Sequence, residues 1–100
     1  METVIEAGHT HFYPGHEGWI AGDAPAREGK ATAVRIAFGD GVMAAGTLGP
    51  AGDSWELDVA PYTTAAGTAI PAKRWRVALR PEADGRTRFR IERKLPARNG

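Results

Sequence analysis

Four stretches of the chain alternate apolar and polar positions with a period of two, the pattern of a strand with one face in a core and the other in water. Thr32, Val34, Ile36 and Phe38 alternate with Ala31, Ala33, Arg35 and Ala37. Trp55, Leu57 and Val59 alternate with Ser54, Glu56 and Asp58, and Trp75, Val77 and Leu79 with Arg74, Arg76, Ala78 and Arg80. Thr87, Phe89, Ile91 and Leu95 alternate with Arg86, Arg88, Arg90, Glu92 and Lys94. All four segments are expected to be strands.

A slip of one residue would turn a strand's apolar set to the wrong face, so matching faces restricts how neighbours pair. Pairing Phe38 with Val42 around Gly39-Asp40-Gly41 sets Ile36 against Ala44 and Val34 against Gly46, and Asp-Gly is a strong hairpin signal. Leu48 opposite Trp55, with Gly46 opposite Leu57, predicts a loop over Pro50-Ala51-Gly52-Asp53. Leu79 opposite Thr87, with Val77 opposite Phe89, predicts a loop over Pro81-Glu82-Ala83-Asp84-Gly85. Each hairpin closes with a single apolar face, and that agreement is the main argument for the fold.

Two regions depart from the alternation. Asp23 to Gly29 offers an N-cap residue, an early proline and a terminal glycine, so one short helical turn is expected near residues 24–28. The connection over residues 60–73 has no clear period and is long for a compact domain, a length often associated with function or a short extra strand. The expected fold class is all-β: about seven mostly antiparallel strands in a meander, forming a small barrel or sandwich. At 100 residues the chain is expected to be a single domain, 1–100, with one packed core.

Composition narrows the chemistry. Cysteine is absent, which removes disulfides, thiolate zinc ligands and a thiol nucleophile. The first residues, Met-Glu-Thr-Val-Ile-Glu-Ala, contain two acids and no apolar run; neither a signal peptide nor a membrane span is expected, and the cytoplasm is the expected compartment. The net charge is +1, but residues 73–98 hold ten Lys and Arg against three acids. The basic character therefore belongs to one segment.

All three histidines fall in the stretch Gly8-His9-Thr10-His11-Phe12-Tyr13-Pro14-Gly15-His16. Tyr13-Pro14-Gly15-His16 fits a turn with proline second and glycine third. If that turn closes a two-residue hairpin, His9, His11, Tyr13 and His16 share a face with Ile5, Ala7 and Ile20, and Phe12, Glu17 and Trp19 take the other. Alternate strand residues are about 6.5–7 Å apart, close enough for imidazoles to converge on one ion. The plainer reading is a polar edge hairpin carrying half-exposed histidines.

In the expected C-terminal hairpin, Arg80 faces Arg86 and Arg76 faces Arg90, while Arg74 faces Glu92. Like charges directly opposite are unfavourable by a few tenths to about 1 kcal/mol, so something should balance them. A phosphate-bearing partner held by Arg74, Arg76, Arg88 and Arg90 would do so, as would Glu56 and Asp58 if their strand lies alongside. Aromatic side chains on this segment have the opposite parity, so no stacking platform for bases is expected from it.

Catalytic signatures are weak. Ser54 is the only serine and lacks a nucleophile-elbow context, and Glu56 with Asp58 is the pair that alternation alone produces. The leading expectation is a non-catalytic module that binds a small molecule or a protein through His9, His11, Tyr13, Tyr62, Thr63 and Thr64, with no cofactor. One alternative is a metal-binding barrel, even a metal-dependent enzyme, with His9, His11 and His16 holding a divalent transition metal such as zinc. Another is phosphate or nucleic-acid binding through the four arginines. No membrane partner is expected, and the small residues Ala65-Ala66-Gly67 leave room for a homo-oligomer.

Overall fold

Closing the sheet on itself is the step that local alternation does not encode. The protein is described by a computed structural model covering residues 3–22 and 29–96, so the helical turn expected at 24–28 lies outside the described residues. The strands are β1 (Thr3–Glu6), β2 (Glu17–Ala21), β3 (Thr32–Ala37), β4 (Met43–Ala51), β5 (Ser54–Val59), β6 (Tyr62–Thr63), β7 (Ala69–Ile70), β8 (Lys73–Pro81) and β9 (Thr87–Leu95). Seven of them close a barrel in the order β1-β2-β9-β8-β5-β4-β3, while β6 and β7 form a separate ribbon. The expected meander survives as β3-β4-β5-β8-β9. A closed ring with an odd number of strands cannot alternate direction throughout, and the one parallel neighbour pair is β1 with β3.

Face matching gives the correct parity at the three hairpins β3–β4, β4–β5 and β8–β9 up to Ile91, but the correct register only at β3–β4. In β3–β4, Val34 meets Gly46 and Ile36 meets Ala44, as expected. Asp40 sits at φ 61°, ψ 29° and Gly41 at φ 77°, the left-handed pair that matches strand twist in a primed turn. In β4–β5, Leu48 pairs with Leu57 and not Trp55, and Ala51 meets Ser54 across a shorter Gly52-Asp53 turn. In β8–β9, Leu79 pairs with Phe89 and Val77 with Ile91. Both corrections are shifts of two residues, which leave every side chain on its expected face.

A bulge in β9 makes the third correction. Val77 meets Ile91 but Arg76 meets Arg93, so Glu92 is the extra residue and the parity reverses beyond it. Leu95 therefore lies opposite Arg74 on the outer wall, half-buried, instead of joining Phe89 and Ile91 inside.

Ile5, Ile20, Val34, Ile36, Leu48, Trp55, Leu57, Trp75, Val77, Phe89 and Ile91 fill the interior. Each large apolar side chain buried in this way stabilises the fold by about 1.5–3 kcal/mol. The expected hairpin over 13–16 does not form: β1 pairs with β2 through Ile5–Ile20 and Glu6–Trp19, leaving residues 7–16 as a loop. Its turn is nevertheless present, with His16 N–H donating to the Tyr13 carbonyl at 3.0 Å and Gly15 at φ 87°. The turn fastens to β9 instead, through Gly15 N–H to Ile91 O at 2.7 Å and Ile91 N–H to His16 O at 2.8 Å. Phe12, expected outside, turns inward and plugs this end of the barrel against Phe38, Trp75 and Phe89. Among the described residues no helix is long and apolar enough to cross a membrane.

Candidate functional site

The 7–16 loop brings its histidines together around one ring. Tyr13 stacks on His16 with centroids 4.9 Å apart and planes 13° apart, meets His9 edge-on at 5.5 Å and lies 6.0 Å from His11. Their environments differ sharply. His9, His11 and Tyr13 are exposed, whereas His16 is 3% exposed and also packs on Phe12 and Phe89. Only His16 therefore shares the core with Ile5, Ala7 and Ile20; strand geometry, which was to align His9 and His11 with it, ends at Glu6.

His16 Nε2 lies 2.7 Å from the Ala7 carbonyl oxygen. A carbonyl can only accept, so Nε2 carries the proton, and the buried Nδ1 is a bare lone pair with no hydrogen-bond partner among the described residues. Burial pushes the His16 pKa below its ordinary value of 6.5, opposed by the Ala7 bond and reinforced by His9 and His11. His16 Nε2 is thus committed to the backbone, while His9 Nε2 lies 3.5 Å from the Tyr13 hydroxyl and His11 Nδ1 3.3 Å from Thr10 Oγ1. Among the described residues no group of three His, Asp or Glu side chains is placed to hold a metal ion.

The 60–73 connection reaches the same end of the barrel. Tyr62 stacks on Phe38 at 4.5 Å and its hydroxyl donates to the Thr10 carbonyl at 3.1 Å. Burial raises the Tyr62 pKa above 10.0, which keeps the phenol a donor. Thr63 and Thr64 do not join it. Thr63 is exposed, and the Thr64 hydroxyl accepts from the Thr68 N–H at 3.1 Å within the ribbon's own turn.

On the outer wall beside the loop, Glu6, His9, Glu17, Trp19 and Arg88 line a cleft of about 380 Å³, together with Ala7, Gly8 and Gly18. Glu6 faces Trp19 across β1–β2, and Trp19 faces Arg88 across β2–β9, which sets these side chains in one row. The Arg86 and Arg88 guanidinium groups lie 4.0 and 4.5 Å from the Trp19 ring centroid. Such cation–π contacts contribute about 0.5–1 kcal/mol at exposed sites. Arg88 is held on its other side by Glu82 at 2.9 Å and Glu17 at 3.3 Å.

Glu6, Glu17 and Trp19 are not marked as site residues by the sequence, and neither is the aromatic ring that stands among the arginines. Parity already placed Trp19 outside, opposite Ile20. The β2–β9 pairing that carries it to Arg88 joins residues about seventy positions apart, and nothing local announces it.

Of the four arginines expected to hold phosphate, Arg74, Arg76 and Arg88 contact carboxylates. Strand β5 does lie beside β8, and Arg74 reaches Glu56 at 2.7 Å, Asp58 at 3.2 Å and the Pro96 carbonyl at 2.8 Å. Arg76 reaches Glu92 at 3.4 Å and donates to the Ser54 hydroxyl at 3.0 Å, which occupies the only serine. The cross-strand pairs are Arg80–Arg88 and Arg76–Arg93 in place of the expected Arg80–Arg86 and Arg76–Arg90; Arg74 faces Leu95, and Arg90 faces Ala78 and Glu17. No protein-family model matches the chain, and no curated protein or solved structure matches it.

Proposed function

We propose that this protein is a small non-catalytic binding module that takes a small polar ligand in the wall cleft formed by Glu6, His9, Glu17, Trp19 and Arg88. The observation that carries the reading is the composition of that one cleft. Its volume of about 380 Å³ suits a small organic molecule. Two carboxylates, an arginine, a histidine and an indole line it together, so one ligand can be met by acceptors, donors and an apolar plate. Glu6, Glu17, Trp19 and Arg88 rise from three paired strands, with His9 added by the 7–16 loop, and a sheet holds the four strand residues with little ordering on binding. The barrel interior, by contrast, is filled by the core and plugged by Phe12.

The test is a screen of small polar metabolites followed by amide chemical shifts. Saturable hits are expected to move Glu6, Gly8, Gly18, Trp19 and Arg88, and to quench indole fluorescence in a way that Trp19→Phe abolishes. Trp55 and Trp75 are buried and serve as an internal control. Hits that move Tyr62, Thr63 and Thr64 instead, or that survive both Trp19→Phe and Arg88→Gln unchanged, would overturn the assignment. A protein partner on the plugged end is a second reading, favoured by Tyr13, a large ring left 40% exposed over the histidines. Shifts confined to His11 and Tyr13 on adding a partner would select it.

A further inference from the structure

The loop over residues 7–16 spans from β1 to β2, and His16 ties its two ends together through the bond to the Ala7 carbonyl. The same loop delivers Phe12 to the barrel end. It is held on one flank by Gly39 N–H to His9 O and Ala7 N–H to Ala37 O, both 2.9 Å, and on the other by the two bonds to Ile91. His16 lies at the centre of these attachments, buried against Phe12, Tyr13 and Phe89.

The arrangement accepts only a neutral imidazole. A second proton can go only to Nδ1, and there it would be a buried donor with no acceptor among the described residues. The titratable groups that face the ring are His9 and His11 on the loop and the Tyr13 phenol stacked on it. From the residue after β1 it receives the Ala7 carbonyl and from β9 the uncharged Phe89 ring, and among the described residues none of the interactions that bear on its charge comes from a carboxylate. Positive charge on His9 or His11 therefore adds to the penalty.

We propose that His16 is an acid-operated latch: protonating its Nδ1 releases the 7–16 loop from β9 and withdraws the Phe12 plug, while the barrel stays folded. The proposal is independent of whether the wall cleft holds a ligand. The ordering of states follows from linkage. The closed loop disfavours the imidazolium, so the closed state is fully favoured above pH 6.5 and loses ground as pH falls below it. In the open loop His16 regains ordinary hydration, so the open fraction rises by up to about tenfold per pH unit below that point until the closed form itself protonates.

Ring-resolved NMR of the histidines, combined with hydrogen exchange expressed as protection factors, tests this on the whole chain. His16 is expected to show the Nε2–H tautomer at neutral pH and a midpoint below 6.5. Protection at the Gly15, Gly39 and Ile91 amides should fall in step with opening, with loss of the Phe12–Phe89 contact, while strand amides such as Ile36 and Leu57 hold. In His16→Phe the loop amides should lose their pH dependence. Replacing His9 and His11 together by Asn removes the repelling cations, so it should raise the His16 midpoint and reduce the acid-induced opening. Protection at Gly15 and Ile91 that ignores His16 protonation, or that falls together with Ile36 and Leu57, would overturn the latch. If His16→Phe does not fold, the wild-type titration and the double Asn variant decide alone.

Discussion

The Tyr62 hydroxyl donates to the Thr10 carbonyl at 3.1 Å, tying together two irregular connections that lie fifty-two residues apart in the chain. One face of the same ring stacks on Phe38, so a single side chain couples the β6–β7 ribbon, the β3–β4 turn and the loop that carries the histidines. The two contributions can be separated. Tyr62→Phe keeps the stack and leaves the Thr10 carbonyl near solvent, so it should destabilise by only about 0.5–1 kcal/mol. Tyr62→Ala also removes the ring and should lose about 2–3 kcal/mol. Urea midpoints at constant slope measure both, and equal losses would show that the hydrogen bond contributes nothing.

Gly18 is present because nothing larger fits. A methyl group built there would overlap the Glu6 carbonyl oxygen and the Phe89 ring, one on the neighbouring strand and one in the core. Neither can yield without opening the β1–β2 seam or displacing a fully buried ring, so Gly18→Ala should destabilise by about 1–3 kcal/mol, the usual range for overpacking. Gly15→Ala meets no such clash, although its φ of 87° still strains the change. Thermal unfolding of the two variants distinguishes steric overlap from backbone strain, because only Gly18→Ala should shift the Glu6 and Trp19 amides.

Arginines on the ribbon are unequal in stability. The Arg74 side chain is 18% exposed and bonds two carboxylates and a carbonyl, while that of Arg76 is 43% exposed and meets Glu92 at 3.4 Å. Arg74→Met, which leaves Glu56 and Asp58 without that shared cation, should lose about 1–2 kcal/mol after allowance for solvent screening. Arg76→Met should lose under about 0.5 kcal/mol. Denaturation at low and at 1 M salt checks the ranking, and the Arg74 loss should shrink with salt. Equal losses would mean that neither pair is structural.

Much of this architecture was legible because alternation is a local signal. Val34, Ile36, Leu57, Val77 and Phe89 are core residues by parity alone, and the Asp40-Gly41 turn follows from its dipeptide. Registers at β4–β5 and β8–β9 were off by two residues because a shift of two leaves both faces intact, so face matching has nothing to reject it with. The bulge at Glu92 was hidden for a related reason: Leu95 has the parity of Phe89 if the strand is regular, and the interruption at Arg93 was the only sign that it is not. At the candidate site, clustering in the sequence marks His9 but not Glu6, Glu17 or Trp19. Arg88 reaches the cleft through a pairing between distant strands, and Phe12 turns inward because the loop is fixed by backbone bonds to β9 and the β3–β4 turn, which no side-chain pattern specifies.

Acid should act on the two ends of the barrel in separate steps. At the end opposite the histidines, hydrogen bonding from Arg80, supported by Arg88, holds the Glu82 carboxyl below its ordinary 4.5, and the Arg86 backbone and side chain hold Asp84 below 3.8. A carboxylate whose pKa is lowered on folding stabilises the native state above its ordinary value, and this contribution disappears as pH falls through the lowered one. A histidine whose pKa is lowered behaves with opposite charge but the same direction: His16 stabilises the native state above 6.5 and loses that contribution as pH falls below it. The 7–16 loop should therefore respond first, and the β8–β9 turn only below the ordinary carboxylate range. The Gly85 amide, which donates to Glu82 O at 3.1 Å, and the Arg86 amide, which donates to Asp84 Oδ1 at 3.0 Å, report the second step; Gly15 and Ile91 report the first. Arg80→Gln should move only the second step, and to higher pH, because it removes the largest influence on Glu82 without touching the loop. A single transition seen by all four amides would show that the ends are coupled and that the barrel between them does not insulate one from the other.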